Sequence, residues 1–500
     1  MKRTILAVLA ALLLLVAPSS LAANPGELVI AVEALGDHLD PHRAPGNSAH
    51  ALMALFDGIT RLDKDGNLAP SLASSWEAIS DTTWIFNLQQ GVKFHNGEEF
   101  NADVVIANLE RMSDPNEPRA SYSFDVFAGW RKTGDYQFEI STVAPDPLLP
   151  ARMKNFFIAP PSMLGNPKSD DFNRHPIGTG PFKFVEWIAD DRVVLAANED
   201  YYLGAPQFDR LVFRAIPEAS SRVSELLTGG VDIVTGLQPE FIGLVDSNAG
   251  TRVVTRVSPI NEVITLRTDV EGPLQDVRVR QAMNYAVDFD TIISTLLSGY
   301  AHRYATVVHP FVLGFNPEVE PYPYDPEKAK SLLAEAGYAD GFSIDFDITP
   351  SVGGTNNIEV AQAVVAYLGQ VGINVNLRVH EYGVMRTLVY GDRSGGPMIR
   401  WQWKTWDNDP DGIFYGMFHS KGTGTFNNDP VTDEMIIAAR FNLDQEDRAR
   451  IYGELQERVK EQATHIFMYY TDSIYGLSDR VTWEPRIDER LYFYQATLND

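Results

Sequence analysis

The chain has 500 residues, no cysteine and a formal net charge of −26 at pH 7. The lack of cysteine excludes disulfides, thiolate metal sites and a cysteine nucleophile, and the acidity opposes nucleic acid and anionic membrane surfaces as partners. A single hydrophobic core stops growing at ~250–300 residues, so at least two lobes are expected.

Met1-Lys2-Arg3, the apolar run Ile5 to Ala17 and the small-residue stretch Pro18 to Ala23 read as a secretory signal peptide. The run is shorter than the ~20 residues a membrane span needs. Cleavage is expected after Ala22, with Ala23 as the alternative, and loss of Lys2 and Arg3 takes the charge from −26 to −28. Leu28 to Val32 follows as a short apolar strand, then a turn-rich loop from Leu35 to His42. Trp84, Phe86 and Leu88 alternate with Ile85 and Asn87 as a half-buried strand. Asn96-Gly97 marks a turn, and Asn101 caps a helix carrying Val104, Val105, Leu109 and Met112.

Residues 191 to 267 alternate strands with a helix at about Ser220 to Leu227, and Val263 to Leu266 is read as a strand crossing between lobes. Asp276 caps a helix with Val279, Met283 and Ala286, and Asp288 or Asp290 starts another that stops at Gly299. Asp325-Pro326-Glu327 opens a third, ended by Gly337. The strand Phe342 to Ile348, a helix at about Ile358 to Gln370 and the strand Ile373 to Val379 form a βαβ unit with parallel strands. Ligands of such sheets sit beyond the carboxyl ends of the strands. A helix from about Gln445 to Gln462, a strand from Ile466 to Tyr470 and a turn at Gly476 bring the chain back to the first lobe.

The stretch from Leu68 to Met112 carries a resemblance. It contains Pro70-Ser71-Leu72-Ala73 with Trp76, then Gly91-Val92-Lys93-Phe94-His95-Asn96-Gly97, then Ala102-Asp103-Val104-Val105. These ordered segments resemble the signature of solute-binding protein family 5, the oligopeptide- and dipeptide-binding proteins of bacterial ABC importers. Ile177-Gly178-Thr179-Gly180-Pro181-Phe182 resembles that family's return into its first lobe, and Leu39-Asp40-Pro41 its cleft-facing loop. The resemblance implies an α/β, two-lobe periplasmic-binding-protein fold of type II, enlarged by an inserted subdomain and joined by a two-segment hinge. The expected divisions are a signal peptide at 1–22, lobe I at 23–50, 177–267 and 477–500, the inserted subdomain at 51–176, and lobe II at 268–476. Without a cysteine there is no lipid anchor, so an untethered periplasmic monomer is expected.

The segment Ile399 to Gly412 (IRWQWKTWDNDPDG) stands out for chemistry. Ile399, Trp401 and Trp403 alternate with Arg400, Gln402 and Lys404, which suits a strand ending near Trp406 and Asp407. Dipeptide-type relatives have a tryptophan followed by D-N-G-D-P-D here, the first aspartate holding the ligand's ammonium by a charge-assisted hydrogen bond. The resemblance thus implies Asp407 in that role, with Trp406, Trp403 and Asn408 around it. The loop is one residue shorter here, which makes Asp409 the substitute. Tryptophans at such a site suit sugar faces, peptide side chains or cations. The plain alternative is that the aspartates shape a turn and the tryptophans fill the core.

Asp407, Asp409, Asp411 and Gly412 also mimic the start of a calcium loop, but position twelve is Phe418 and Pro410 stiffens the loop, so no metal is assigned. His38 and His42 stand four apart with Pro41 between them; His38 is taken as a ligand contact rather than a metal ligand. Peptide-binding relatives place a carboxylate-binding arginine at the helix after the Phe342 strand, where this chain has Asn356, Asn357, Ile358 and Glu359. A ligand carboxylate left unpaired there would cost on the order of several kcal/mol, so Arg400 or Arg386 is the candidate replacement.

No phosphate loop, nucleotide fingerprint or Gly-x-Ser-x-Gly elbow is present. The expected function is a non-enzymatic, cofactor-free subunit that captures a small peptide or peptide-like solute and passes it to permease subunits in the inner membrane. Within the same family an oligosaccharide, an opine-like conjugate or a nickel complex is the alternative solute. From other classes, a secreted glycoside hydrolase with paired carboxylates and a periplasmic holdase are the rivals.

Overall fold

The computed structural model describes residues 26–43, 48–114, 124–164, 171–350, 356–405 and 408–499. The expected signal peptide, Trp406 and Asp407 lie outside them.

One mixed sheet runs through the molecule. Its strands follow the order Ile373–Val379, Phe342–Ile348, Met398–Lys404, Thr251–Leu266, His465–Ser478, Ile233–Val234, Glu27–Val32, Arg210–Ala215, Arg192–Ala197 and Phe182–Ile188. The two central strands are long and antiparallel, pairing from Thr251↔Ser478 to Thr265↔His465. They carry the chain across the molecule in both directions. Their register breaks between Val257 and Asn261, a stretch containing Pro259, which has no N–H to give a ladder and is tolerated at a bulge.

Each half of the sheet has its own cores. Leu28, Ile30 and Val32 pack with Leu52, Phe56, Phe182, Leu211 and Phe213, while Val29 and Ala31 pack with Val223, Leu226 and Val245 on the other face. That explains why Leu28 to Val32 reads as an unbroken apolar run: the strand is buried on both sides. At the other end Ile264, Phe346, Ile348, Val364, Leu368 and Ile373 form one core, and Val263, Phe414, Tyr452 and Leu455 form another. A further core, spanning Ile59 to Ile158, lies beneath a four-stranded antiparallel sheet that includes Thr83–Leu88.

The local expectations follow the capping chemistry. The side chains of Asn101, Asp276, Asp288 and Asp325 each accept a backbone N–H at their helix starts. The Phe342–Ile348 and Ile373–Val379 strands are parallel, connected by the helix Asn357–Gln370. Other points differ. The helices Pro239–Ser247 and Pro430–Arg440 are among those additional, and Gly476 is no turn but sits inside the strand His465–Ser478. An added Cβ at Gly476 would lie 2.7 Å from Leu226, so the glycine there serves close helix-on-strand packing.

A tighter approach occurs at Gly178, where a Cβ would lie 2.0 Å from the Leu55 carbonyl oxygen. Backbone cannot swing aside, so Gly178→Ala should destabilise by about 1–3 kcal/mol through overpacking. Thermal unfolding checks this; an unchanged melting temperature would contradict the contact.

Candidate functional site

The strands Phe342–Ile348 and Met398–Lys404 are parallel, so their carboxyl ends face the same way, toward the middle of the crossing strands. Ile260 pairs with Lys404 there. Around this junction a cavity of about 290 Å³ opens. Thr235, Glu489 and Leu491 line it from one half of the sheet and Leu297 and Tyr300 from the other, with Asp472 on a crossing strand. A second cavity, of about 540 Å³, lies between Trp76, Trp84 and Leu148 on one side and Phe311, Asn408 and Arg448 on the other.

Lys404 and Glu489 tie the two halves together at 2.6 Å. Glu489 also accepts from the hydroxyls of Ser258 (2.7 Å) and Ser473, one on each crossing strand. Burial would raise the Glu489 pKa, but Lys404 and the two serines outweigh it and hold the carboxyl below its usual range. Asp472 is paired with His302 at 3.0 Å. The placement of Lys404 on one strand face was legible from its alternation with Gln402 and Arg400; its partner, far along the chain, was not.

Arg400 is 1% exposed. It donates from Nη1 to the Asn357 carbonyl (2.8 Å) and from Nη2 to Glu262 (3.3 Å) and the Tyr469 hydroxyl (3.3 Å). Arg400 therefore reaches the start of the helix Asn357–Gln370, the place where the resemblance implied a carboxylate-binding arginine. Its charge is nevertheless already balanced by Glu262, whose own pKa is raised by burial against the pull of Arg400. Arg400, expected as a partner for a solute carboxylate, is half of a buried ion pair. Arg386 is exposed and not part of that network.

Trp403 is half-buried, with its indole laid against the backbone of Gly416 and Gly424; added Cβ atoms there would lie 2.8 and 2.0 Å from the ring. Asn408 adopts φ +52°, and its side chain sits against Gly66 across the second cavity. Asp409 accepts two parallel bonds from Arg448, both 2.9 Å, and a third from the Asp411 amide. Bidentate pairing of this kind is strong and geometrically selective. Asp409, the expected substitute for Asp407, thus lines the second cavity with its carboxylate matched by a guanidinium. Asp411 begins the helix Asp411–Met417; burial pushes its pKa up to about 6, against the pull of Arg440 and Arg152. Guanidinium groups around both aspartates disfavour a calcium ion.

His38 is buried. His42 is committed elsewhere: its Nδ1 lies 2.5 Å from Arg111 and its Nε2 3.1 Å from the Phe157 carbonyl. Arg111 can only donate, so Nδ1 accepts and Nε2 carries the proton. Arg111 also grips Asp40 at 2.9 and 3.2 Å. The loop read as cleft-facing thus fastens the helix Ala102–Ser113 to the first strand, and both ring nitrogens of His42 are engaged there. The structure brings Trp403, Asn408 and Asp409 to one strand end and its following loop, with His38 on the separate N-terminal loop.

Among the described residues no helix is long and apolar enough to cross a membrane. A family model of bacterial extracellular solute-binding proteins, family 5, matches residues 67–425. Heme-binding protein A of Haemophilus influenzae is 30% identical over 448 residues, covering 83% of this chain and 81% of that one. Di/tripeptide-binding protein 2 of Pseudomonas aeruginosa is 29% identical over 495 residues, covering 90% and 91%. The periplasmic binding protein DppA of Helicobacter pylori, solved with the peptide STSA, superposes with a TM-score of 0.78 at 25% identity, covering 95% and 98%. The signature between Leu68 and Met112, the crossing-strand architecture and these matches agree: the chain belongs to family 5 of the bacterial extracellular solute-binding proteins.

Proposed function

We propose that this protein is the periplasmic solute-capturing subunit of an ABC importer, closing on a small peptide or peptide-like molecule and handing it to permease subunits. The observation that carries this reading is the cavity at the crossing strands, lined from both halves of the sheet. Two paired strands through one narrow junction are the mechanical basis of hinge closure. The names of the relatives, a di/tripeptide-binding protein and a structure holding a peptide, support a peptide-like cargo. The lobes are taken as 23–50, 177–267 and 477–500 against 268–476, with 51–176 as the inserted subdomain and 1–22 as a cleaved signal peptide leaving an untethered monomer.

A binding rather than catalytic role is supported by the state of the carboxylates at the cavity. Glu489 is neutralised by Lys404 and Asp472 faces His302, which leaves no free acid and base pair of the glycosidase kind among the described residues lining this cavity. Asp407 stays the proposed ammonium receptor, and Trp406 and Trp403 the proposed aromatic contacts. The matching of Arg400 with Glu262 favours cargo whose carboxylate is modified or held elsewhere over a free dipeptide.

At a hundred times its dissociation constant, the cargo should stabilise the folded protein by ~2.7 kcal/mol, visible as a rise in melting temperature. Screening peptide, oligosaccharide, opine and nickel-complex libraries on refolded protein tests this. Silence across all of them would remove the reading, and a cargo recovered chemically altered would turn it toward the hydrolase.

A further inference from the structure

The segment after the strand Ile373–Val379 places three side chains in register. It runs as a helix over Tyr382–Arg386 and widens into a π-turn over Thr387–Gly391, a geometry frequent at functional sites. Tyr382, Arg386 and Tyr390 are four residues apart, so they share one face, and all three are exposed. Beneath them lie two indoles. Tyr382 is stacked with Trp401 at 6.2 Å and 11°, and Tyr390 meets Trp401 edge-on at 5.6 Å and Trp403 at 6.4 Å. The Trp401 Nε1–H donates to the Tyr390 hydroxyl at 2.6 Å, which fixes that phenol at the rim.

Arg386 has no ion-pair or hydrogen-bond partner among the described residues. That is unusual in a chain with 67 acidic and 41 basic residues. The nearby acids are engaged: Glu381 caps its own helix through the Gly383 and Val384 amides, Asp392 is turned onto Ser394, and Asp347 is held by Arg378 and His380. An unneutralised guanidinium on the same helix face as two tyrosines that both pack on Trp401 is a receptor for a flat ring bearing negative charge, through aromatic contact and a charge-assisted bond.

We propose that Tyr382, Arg386 and Tyr390, backed by Trp401 and Trp403, form a subsite for a planar aromatic or conjugated group carrying a carboxylate. This rests on the solute-binding reading, since the tyrosine stripe begins just beyond the carboxyl end of the strand Ile373–Val379. It assigns to Arg386 the anion-binding role that Arg400 cannot fill.

The test is calorimetric titration of the full mature protein with 2-naphthoate and with its neutral counterpart 2-naphthamide. Wild type is expected to bind the naphthoate at least about tenfold tighter than the amide. Arg386→Gln should bring the two to equal affinity, and Tyr382→Ala should weaken both; these positions are exposed, and circular dichroism confirms that the variants fold. No binding of naphthoate by wild type, or an unaltered affinity in both variants, overturns the subsite. If that happened while peptides still raised the melting temperature, the transport reading would stand without it. Naphthoate binding that follows the pattern above supports the subsite even if every library is silent.

Discussion

Replacing Arg448 with methionine should lower the unfolding free energy by about 3–5 kcal/mol, because it strands the Asp409 carboxylate without a counter-charge in a buried site. The two residues are 3% and 8% exposed, on the wall of the second cavity. The pair joins the loop after the strand Met398–Lys404 to the helix Gln445–Gln462, so the loss should appear in the melting transition of that half of the molecule. The double variant Arg448→Met with Asp409→Leu should regain most of it, since replacing a buried ion pair with packed apolar groups is often near neutral. Urea unfolding of the four proteins in this cycle measures the coupling. A single-variant effect below about 1 kcal/mol would show that the pair is not structural. A cationic solute that binds Arg448→Met more tightly than wild type would restore Asp409 to the binding site.

Stability should fall steeply as the medium is acidified from pH 6.5 to about 4. Burial pushes the pKa of His309 and His465 down to about 3. Burial, joined by the Arg111 charge, holds His42 at about 4. His50 and His95, less enclosed, are also lowered by desolvation to about 4. In the unfolded chain each would titrate near ~6.5. Between those values the unfolded chain takes up protons that the folded protein refuses, so the stability these histidines contribute is present above pH 6.5 and lost below it.

Asp57 and Asp411 act in the opposite sense, because burial raises both to about 6. From pH ~3.8 to 6 the folded protein keeps two protons that the unfolded chain has released. Five uptakes against two leave a net difference of about three protons, or roughly 4 kcal/mol per pH unit at ~1.4 kcal/mol each. Calorimetry at pH 7, 6 and 5 should show a progressive fall in melting temperature, and His309→Asn should flatten it by about one proton. A melting temperature that held or rose on acidification would refute the assignment of these rings as buried and neutral.

Local chemistry was readable wherever a residue's partner stood within a few positions. Asn101, Asp276, Asp288 and Asp325 cap helices because their carboxyl or amide oxygens reach amides two or three residues on. Trp401 and Trp403 share a strand face because strand side chains alternate. The turn expected at Gly476 failed for the converse reason: glycine at a turn and glycine under a packed helix look alike until Leu226 is placed beside it.

By itself, the amino-acid order determined the family, the α/β character, the βαβ unit and most helix starts, since each depends on periodicity, caps or a run of neighbouring residues. The tertiary structure decided which charges are spent. Arg400 and Glu262 are 138 residues apart, Arg111 and Asp40 71, and Arg448 and Asp409 39. Whether an arginine faces cargo or a buried carboxylate depends on which distant strand or helix the fold brings beside it. Arg386 and Arg400 look equivalent as letters; burial and a partner across the sheet make one a strut, and exposure over a tyrosine stripe leaves the other a charge to offer.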